Sequence, residues 1–135
     1  ALPILRAEAI VYGRLPLMIT ENCLVQNETG CRLNRQGPCV PEDGPCRCGQ
    51  PNVLVDRTGA AFPLLPAYGH RTEIQNSKPL YLADRPEHRR LGLAYARLRF
   101  TTETAEECVS VVQNYLDAAP AAGDFTRGLY ERGVE

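Results

Sequence analysis

Five of the six cysteines of this 135-residue chain are crowded into one short stretch. They are Cys23, Cys31, Cys39, Cys46 and Cys48. The surrounding segment, residues 20–51, is rich in glycine, proline and asparagine, a composition typical of irregular backbone without a helical period. We therefore predict a cysteine-rich loop over 20–51. The state of its thiols constrains the fold most, because disulfides, a metal cage and buried reduced cysteines require different backbone paths.

Disulfide pairing is disfavoured, in part because the chain is predicted to be cytoplasmic. A chain of this length can bury enough apolar surface to fold without a covalent staple. An odd cluster also fits complete internal pairing poorly, although Cys108 could supply a sixth partner for three disulfides. Cys108 falls on the apolar stripe of a predicted helix, so its simplest role is that of a small core residue.

Metal binding suits the loop better. A thiolate cage needs about four cysteines that converge from flexible backbone, which segment 20–51 provides. Neither the paired CxxC knuckles of zinc ribbons nor the CxxCxxC run of ferredoxins is present, so the spacing leaves zinc and iron–sulfur open. His70 could reach this region as a further ligand, but an exposed loop histidine is the simpler interpretation.

A catalytic thiol would need a neighbouring base. His70 and His88 are the two histidines, and His88 lies in the charged run EHRR, which is typical of a solvated face. The chain also has neither a Gly-x-Ser-x-Gly elbow nor a His-Glu-x-x-His pair. The residues thus give no support to proteolysis.

The net charge and the hydropathy pattern limit which kinds of partner the chain can bind. A net charge of −1 and a pI near 6.2 exclude an overall basic footprint for non-specific nucleic-acid binding. No apolar run approaches a membrane span, and the sequence carries no secretory signal pattern. We predict a cytoplasmic protein that does not associate with membranes.

In the first two thirds of the chain, the segments outside the cysteine-rich loop are predicted to form strands. Residues 7–19 resemble one buried, parallel strand. Two apolar runs at 52–56 and 60–65 flank a turn that ends at Gly59, which predicts a β-hairpin whose second strand lies at a sheet edge because it contains Pro63. A further strand is expected near 77–83, so residues 52–83 form a hairpin and strand insertion.

The last third predicts a strand followed by a helix. Residues 94–101 alternate polar and apolar side chains, and Thr104 with Glu107 forms a capping box. The helical stripe is predicted to contain Cys108, Val112, Tyr115 and Leu116. Pro120 and Gly123 are expected to end the helix. Residues 94–119 are thus predicted to form a terminal strand–helix unit, which indicates the α/β class. A short helix capped by Asp84 is expected before it.

Several short motifs follow one another along the chain. They are VYGRLPLMITENC at 11–23, LVDRTG at 54–59 with Phe62-Pro63, Asn76-Ser77 with Pro79-Leu80, LRFT at 98–101 and FTRGLYERGV at 125–134. Taken in this order, they resemble the C-terminal part of the collagenase-like peptidase U-32 family. Each is weak by itself, but their shared order spans nearly the whole chain.

The resemblance implies that residues 1–135 form a single C-terminal fragment that holds the last strands and helix of a (β/α) barrel. The N-terminal barrel of the same protein would then be its partner. Ala1 opens almost directly in an apolar run, which agrees with a piece of a longer chain, and a processed mature protein is the alternative. Strands near 7–13 and 94–100 would be barrel strands. The residues expected at the barrel mouth are Tyr12, Gly13, Arg14, Glu21 and Cys23.

The resemblance also implies a 4Fe-4S cluster. The implied reaction is the hydroxylation of tRNA or rRNA bases or of a small aromatic substrate. The cluster ligands expected from the resemblance are Cys23, Cys31, Cys46 and Cys48. One of Cys46 and Cys48 is expected to be the third ligand. The fourth ligand is open between the other of these two cysteines, Cys39 and His70. The alternatives are a collagenase-like peptidase and a zinc-stabilised structural or interaction module, and the fragment alone is expected to be inactive.

Four arginines are candidates for phosphate contacts with an RNA partner. They are Arg71, Arg85, Arg89 and Arg90. Ordinary surface charge is the favoured interpretation for them.

Overall fold

The protein has a mixed α/β fold with two β-sheets and few helices, as seen in a computed structural model. The structure describes residues 6–29, 50–67, 71–85, 87, 90 and 92–131. The elements are β1 (Glu8–Gly13), β2 (Pro16–Thr20), α1 (Leu24–Thr29), β3 (Asn52–Val55), β4 (Ala61–Ala67), β5 (Arg71–Gln75), β6 (Leu80–Tyr81), β7 (Tyr95–Leu98) and α2 (Ala105–Leu116). No helix among the described residues is long and apolar enough to cross a membrane.

The chain divides into two compact units. The first, here called the parallel-strand unit, consists of the described parts of 1–14 and 78–135. The second, the antiparallel unit, consists of those of 15–77. The α/β class is thereby confirmed at the level of two sheets with few helices.

The parallel-strand unit is built on the sheet β6-β1-β7. β1 pairs in parallel with β7, from Glu8 opposite Tyr95 to Tyr12 opposite Leu98, and antiparallel with the two-residue strand β6. The strands predicted near 7–13, 77–83 and 94–101 are therefore present, the second only as Leu80–Tyr81. Parallel neighbours need a long connection between them, and here it is residues 14–94, which include the whole antiparallel unit.

Helix α2 begins with the predicted capping box. The Thr104 hydroxyl accepts from the Glu107 N–H, and the Glu107 carboxylate accepts from the Thr104 N–H at 2.7 Å. Val111 and Tyr115 pack against a core formed by Tyr12, Tyr81 and Ala83. These contacts fix which face of α2 is buried.

The predicted apolar stripe of α2 is wrong for two of its four members. Val112 is 42% exposed and Leu116 is 72% exposed, whereas Val111 takes the inward position. Cys108, predicted to lie in the core, is only half-buried. The apolar residues of α2 form one broad stripe, and only the edge with Val111 and Tyr115 packs against the core, so the spacing alone could not select the inward part of the stripe.

The single strand predicted over 7–19 is also wrong, because the chain forms two strands there in different sheets. Gly13 separates them with a φ of +119°, a conformation that side chains rarely adopt. A Cβ at this position would lie 2.0 Å from the Arg99 carbonyl oxygen, so only glycine allows the two backbones to approach. β2 then pairs antiparallel with β5 rather than continuing a parallel sheet.

The antiparallel unit has the strand order β2-β5-β4-β3. The predicted hairpin is confirmed, since β3 pairs with β4 from Asn52 opposite Leu64 to Val55 opposite Ala61. Its turn is closed by Asp56, whose carboxylate accepts from the N–H groups of Thr58 at 2.7 Å and Ala60 at 3.0 Å. Gly59 completes the turn with a φ of +84°.

Pro63 does not place its strand at a sheet edge. β4 lies between β5 and β3, and Pro63 stands opposite Val53. The ladder between β4 and β5 runs from Leu64 to Ala67, so Pro63 lies outside it. Since successive residues of an antiparallel strand direct their N–H groups to alternate sides, a proline removes one donor and the rest of the ladder persists.

The described part of the predicted loop 20–51 contains a helix, contrary to prediction. α1 places Val25 in a core with Leu64 and Ile74. The buried Thr72 hydroxyl accepts from the Leu24 N–H at 3.0 Å and donates to the Asn22 carbonyl at 3.2 Å, which satisfies polar groups at the start of the helix. Residues 30–49 lie outside the described part of the chain.

Asp84, the predicted helix cap, pairs with Arg127. The guanidinium donates to both carboxylate oxygens, at 2.6 and 2.8 Å, and to the Tyr81 carbonyl. This bidentate pair holds the pKa of Asp84 below its usual range. Together with the bridge between Leu80 and Thr126, it fastens the C-terminal segment to β6. Most of the helix predicted after Asp84 lies outside the described residues.

Candidate functional site

The candidate site lies where the parallel strands β1 and β7 end. Ligands of open parallel α/β proteins bind outside the carboxyl ends of the strands, where connecting segments provide polar groups. Here β1 ends at Gly13 and β7 at Leu98, and the Arg99 N–H donates to the Tyr12 carbonyl at 2.9 Å just beyond the strands. The two chain segments that follow are thereby brought together.

An open cleft of about 430 Å³ lies at this point, entirely within the parallel-strand unit. It is called the Glu103 cleft below, and its lining residues are Tyr12, Arg14, Pro79, Thr102, Glu103, Glu107, Ser110, Val111 and Asp124. Its volume falls within the range typical of small-molecule sites. Its walls combine apolar surface with charged and hydroxyl groups.

Glu103 is the most constrained charged group of the cleft. One carboxylate oxygen accepts from the N–H groups of Thr101 at 2.7 Å and Thr102 at 3.0 Å, and the other accepts from the Tyr12 hydroxyl at 3.2 Å. Burial favours the neutral acid, but these hydrogen bonds outweigh it and hold the pKa of Glu103 below its ordinary value. The cleft therefore contains a fixed carboxylate that is ionised at neutral pH.

Tyr12 connects this carboxylate to the aromatic core. Its ring contacts Phe100 and Tyr115 at centroid distances of 5.5 and 6.2 Å, and only 6% of the residue is exposed. Burial raises the pKa of the Tyr12 hydroxyl and the charge of Glu103 raises it further, while Arg14 lowers it. Tyr12 thus remains a neutral hydrogen-bond donor, held in place by packing of its ring.

Arg14 provides positive charge on the wall of the cleft. Its Nε–H donates to the Thr102 hydroxyl at 3.3 Å, and Thr102 in turn donates its N–H to Glu103. At another part of the lining, Asp124 forms an ion pair of 2.8 Å with Lys78. Thr102 thus connects the cationic donor Arg14 to the anionic acceptor Glu103.

Three residues expected at the barrel mouth come together at the end of β1. Tyr12, Gly13 and Arg14 lie beside the segment that follows β7. Glu21 and Cys23 belong to the antiparallel unit instead. In that unit Glu21 forms an ion pair of 3.0 Å with Arg71, which accounts for one of the arginines considered as phosphate ligands.

Cys23 is the one predicted cluster ligand that the structure describes. It is a free, half-buried thiol directly before α1, and it packs against the core around Val25. The remaining candidate ligands, Cys31, Cys39, Cys46, Cys48 and His70, lie outside the described residues. Within the described ranges no three His, Cys, Asp or Glu side chains are grouped to hold a metal ion. The ligand set therefore stays a prediction.

Two of the other arginines named from the sequence, Arg85 and Arg90, lie among the described residues. Arg85 forms an ion pair with Glu131, and Arg90 is exposed. Arg89 and His88 lie outside the described residues. In the described part of the chain, these side chains do not define a phosphate site.

Sequence reasoning missed Glu103, the centre of the cleft. Its position carries a signal, because it stands in the run Thr101-Thr102-Glu103-Thr104 between a strand and a helix cap. Polar residues that directly follow a parallel strand are frequent site residues in α/β proteins.

No protein-family model matches the chain, and no curated protein or solved structure is significantly similar to it.

Proposed function

We propose that this chain is the C-terminal part of a peptidase U-32-like protein that hydroxylates RNA bases or a small aromatic substrate. The observation that carries the proposal is the parallel pairing of β1 with β7, followed by α2, with a polar cleft at the carboxyl ends of both strands. Such an arrangement suits the last units of a (β/α) barrel, where chemistry occurs at that end of the strands. The order of sequence motifs provides the second support.

The proposed cofactor is a 4Fe-4S cluster held by Cys23, Cys31, Cys46 and Cys48. Cys23 fits this role, since it is a free, half-buried cysteine that lies between β2 and α1. A bound cluster would supply single-electron transfer, with a potential set by burial and by hydrogen bonds to sulfur. Cys108 lies on α2 and is not proposed as a ligand.

The chain's own contribution to the reaction is to bind and orient the substrate in the Glu103 cleft. Glu103 offers an ionised acceptor, Arg14 offers a donor, and Tyr12 holds the carboxylate in place. Pro79 and Val111 provide apolar surface for a planar ring. A fixed arrangement of this kind reduces the entropy lost when a substrate is oriented.

Metal analysis tests the cofactor. The full-length protein, purified without oxygen, should contain about four iron ions and four sulfides per chain. Stoichiometric zinc without sulfide would instead support the zinc-stabilised structural module. Disulfides among the loop cysteines in the anaerobic protein would contradict both forms of metal binding.

Single cysteine variants test the ligand set. Cys23→Ser should lower the iron and sulfide content and the visible absorption of the cluster, because one of four thiolates is lost. Cys108→Ser is the matched control and should keep the parent content, since that half-buried cysteine on α2 is not in the proposed ligand set. Cys39→Ser, compared with Cys46→Ser and Cys48→Ser, identifies the fourth ligand. Full iron content in Cys23→Ser would remove the best-supported ligand.

Comparison of strains with and without the gene tests the reaction. Loss of a hydroxylated nucleoside from total RNA, or of a hydroxylated aromatic metabolite, is the expected result. Loss of gelatin cleavage alone would favour the peptidase and overturn the proposal.

A further inference from the structure

We propose that the outer strand β3 pairs antiparallel with β3 of a second copy of this chain, in a weak two-fold dimer centred on Leu54. The pairing would join two four-stranded antiparallel sheets edge to edge. It is independent of the chemistry proposed for the Glu103 cleft, because β3 belongs to the antiparallel unit and the cleft to the parallel-strand unit.

The open edge of β3 presents backbone groups to an added strand. The Asp56 N–H donates to the Ala60 carbonyl at 3.0 Å, so the backbone groups of Asp56 are directed toward β4. Alternate residues of an antiparallel strand direct their groups to the same side, so Leu54 also faces β4. Val53 and Val55 therefore direct their N–H and C=O groups away from β4. No described residue forms a hydrogen bond with these outward groups.

The side chains of β3 leave both faces of this edge apolar. Val53, Leu54 and Val55 are exposed by 55, 46 and 57%. The two valines lie on one face and the leucine on the other, because side chains alternate along a strand. Residues 52–55 contain no charge, proline or bulge, which are the devices that normally prevent an edge from pairing with another chain.

The other outer strands of the described sheets carry such devices. β2 contains Pro16 and a shift of register between Pro16 and Met18. β7 carries Arg97, in an ion pair with Glu8, and β6 is bridged by Thr126. Copies joined from β3 to β2 would have to pair across the irregular part of β2. A closed two-fold pair of β3 strands is therefore favoured over an open chain of copies.

One register pairs the outward groups of both copies. With Leu54 opposite Leu54 of the partner subunit, Val53 lies opposite the partner subunit's Val55, and each such pair exchanges both of its N–H···O bonds. The two leucines then form a non-hydrogen-bonded pair on the two-fold axis, where opposite side chains are closest. Asp56 comes opposite the partner subunit's Asn52, so no like charges meet. β3 is thus complementary to itself, which identifies a second copy as the occupant.

The length of β3 sets the strength of the pairing. Two strands of four residues bury far less surface than the roughly 1,200 Å² at the lower end of standard interfaces. The dimer is therefore expected only at high protein concentration. In the dilute monomer the amides of Val53 and Val55 face solvent and exchange quickly, and their exchange should slow as the dimer forms.

Sedimentation velocity of the 135-residue chain under reducing conditions tests the pairing. From about 10 µM to about 1 mM, a range suited to an interface below standard size, the mass should rise from 14.9 kDa toward twice that value and no further. The reductant excludes disulfide-linked dimers. A constant monomer mass, or growth beyond the dimer, would overturn the inference.

Charge variants at the two-fold axis test the register. Leu54→Lys and Leu54→Glu each place like charges directly opposite one another, so each should weaken self-association about tenfold or more. An equimolar mixture of the two should restore association, because opposite charges then meet. Ile19→Lys, at a 57% exposed position on the outer strand β2, is the matched control and should associate like the parent.

Two results with these variants would contradict self-pairing of β3: a mixture that stays monomeric although both variants keep the circular dichroism of the parent, or loss of association in Ile19→Lys. If either variant at Leu54 fails to fold, Val55→Pro replaces the pair. It removes an outward N–H and no hydrogen bond to β4, so it should also weaken association, and unchanged association would contradict the proposed edge.

Discussion

Among the glycines that the structure describes, Gly13 is the one whose identity the backbone restricts most. Its φ of +119° suits glycine alone, and a Cβ would lie 2.0 Å from the Arg99 carbonyl oxygen. The close approach joins the ends of β1 and β7 and so positions Tyr12 and Arg14 in the Glu103 cleft. A backbone contact cannot be relieved by a rotamer change.

Gly13→Ala is therefore expected to destabilise the protein by about 2 to 4 kcal/mol, as the sum of backbone strain and a steric clash. Gly59→Ala is the control, because its φ is also positive, at +84°, but a Cβ there meets no atom within 4 Å. It should cost about 1 to 2 kcal/mol. Urea denaturation of both variants measures the difference, and equal losses would contradict the close approach at Gly13.

Glu103 links folding stability to pH. Its pKa is lower in the folded protein than the ordinary value of 4.5, so the ionised carboxylate contributes stability in full above about pH 4.5. This contribution is lost as the pH falls through the lowered folded-state pKa. The direction follows because the unfolded chain binds the proton more tightly.

In thermal melts, Glu103→Gln should therefore lose less stability than the parent protein between pH 6 and pH 3. At neutral pH it should be the less stable of the two, because the charge-assisted hydrogen bonds are weakened. Glu106→Gln, which removes an exposed carboxylate on α2, is the charge control. Parallel profiles for Glu103→Gln and the parent would show that the hydrogen bonds to Glu103 do not favour its ionised form.

At the scale of elements, neighbouring residues determine where α2 begins, whereas tertiary packing determines how the helix is oriented. The capping box of Thr104 and Glu107 fixes where the helix begins. Packing of Val111 and Tyr115 on the aromatic core fixes which face is buried, and Val109, Val112 and Leu116 remain exposed. Adjacent valines on α2 thus have different environments.

This difference gives a matched pair of variants. Val111→Ala should cost about 1 to 2 kcal/mol, because it removes methyl groups from a packed site. Val112→Ala, on the side that is 42% exposed, should cost less than about 0.5 kcal/mol, since alanine also has the higher helix propensity. Denaturant melts compare them. A larger loss for Val112→Ala would mean that the helix buries the face predicted from spacing.

At the scale of the whole molecule, each unit contains at least one strand that is paired on both sides. β1 lies between β6 and β7, and β5 lies between β2 and β4. The outer strand β3 exposes Val53, Leu54 and Val55 by 46 to 57%. The amides of a strand that is paired on both sides exchange only through larger unfolding events. The amides of a strand at the edge of a sheet exchange through local opening.

Native-state hydrogen exchange followed by NMR should show the slowest amides in β1 and β5 and faster exchange in β3 and β7. Ile74 in β5, which is 6% exposed, and Val53 in β3 are suitable reporters in the antiparallel unit. Equal protection of these two amides would indicate that β3 is covered by another part of the protein or by a partner.

The features determined by sequence alone are those that depend on neighbours in the chain. The hairpin follows from two apolar runs around the Asp56–Gly59 turn, and the start of α2 follows from Thr104 and Glu107, three residues apart. In both cases the interacting groups are separated by a few bonds, so local pattern is sufficient. The α/β class follows from the order of such elements.

Tertiary structure decided what depends on distant partners. Tyr12 and Glu103 are 91 positions apart, and no periodicity relates them. The break of residues 7–19 into two strands depends on the Arg99 backbone, and the central place of Pro63 depends on the extent of the neighbouring ladder. The Glu103 cleft exists because parallel pairing brings together the ends of two strands that the chain separates by an entire unit, and local pattern does not encode which strands pair.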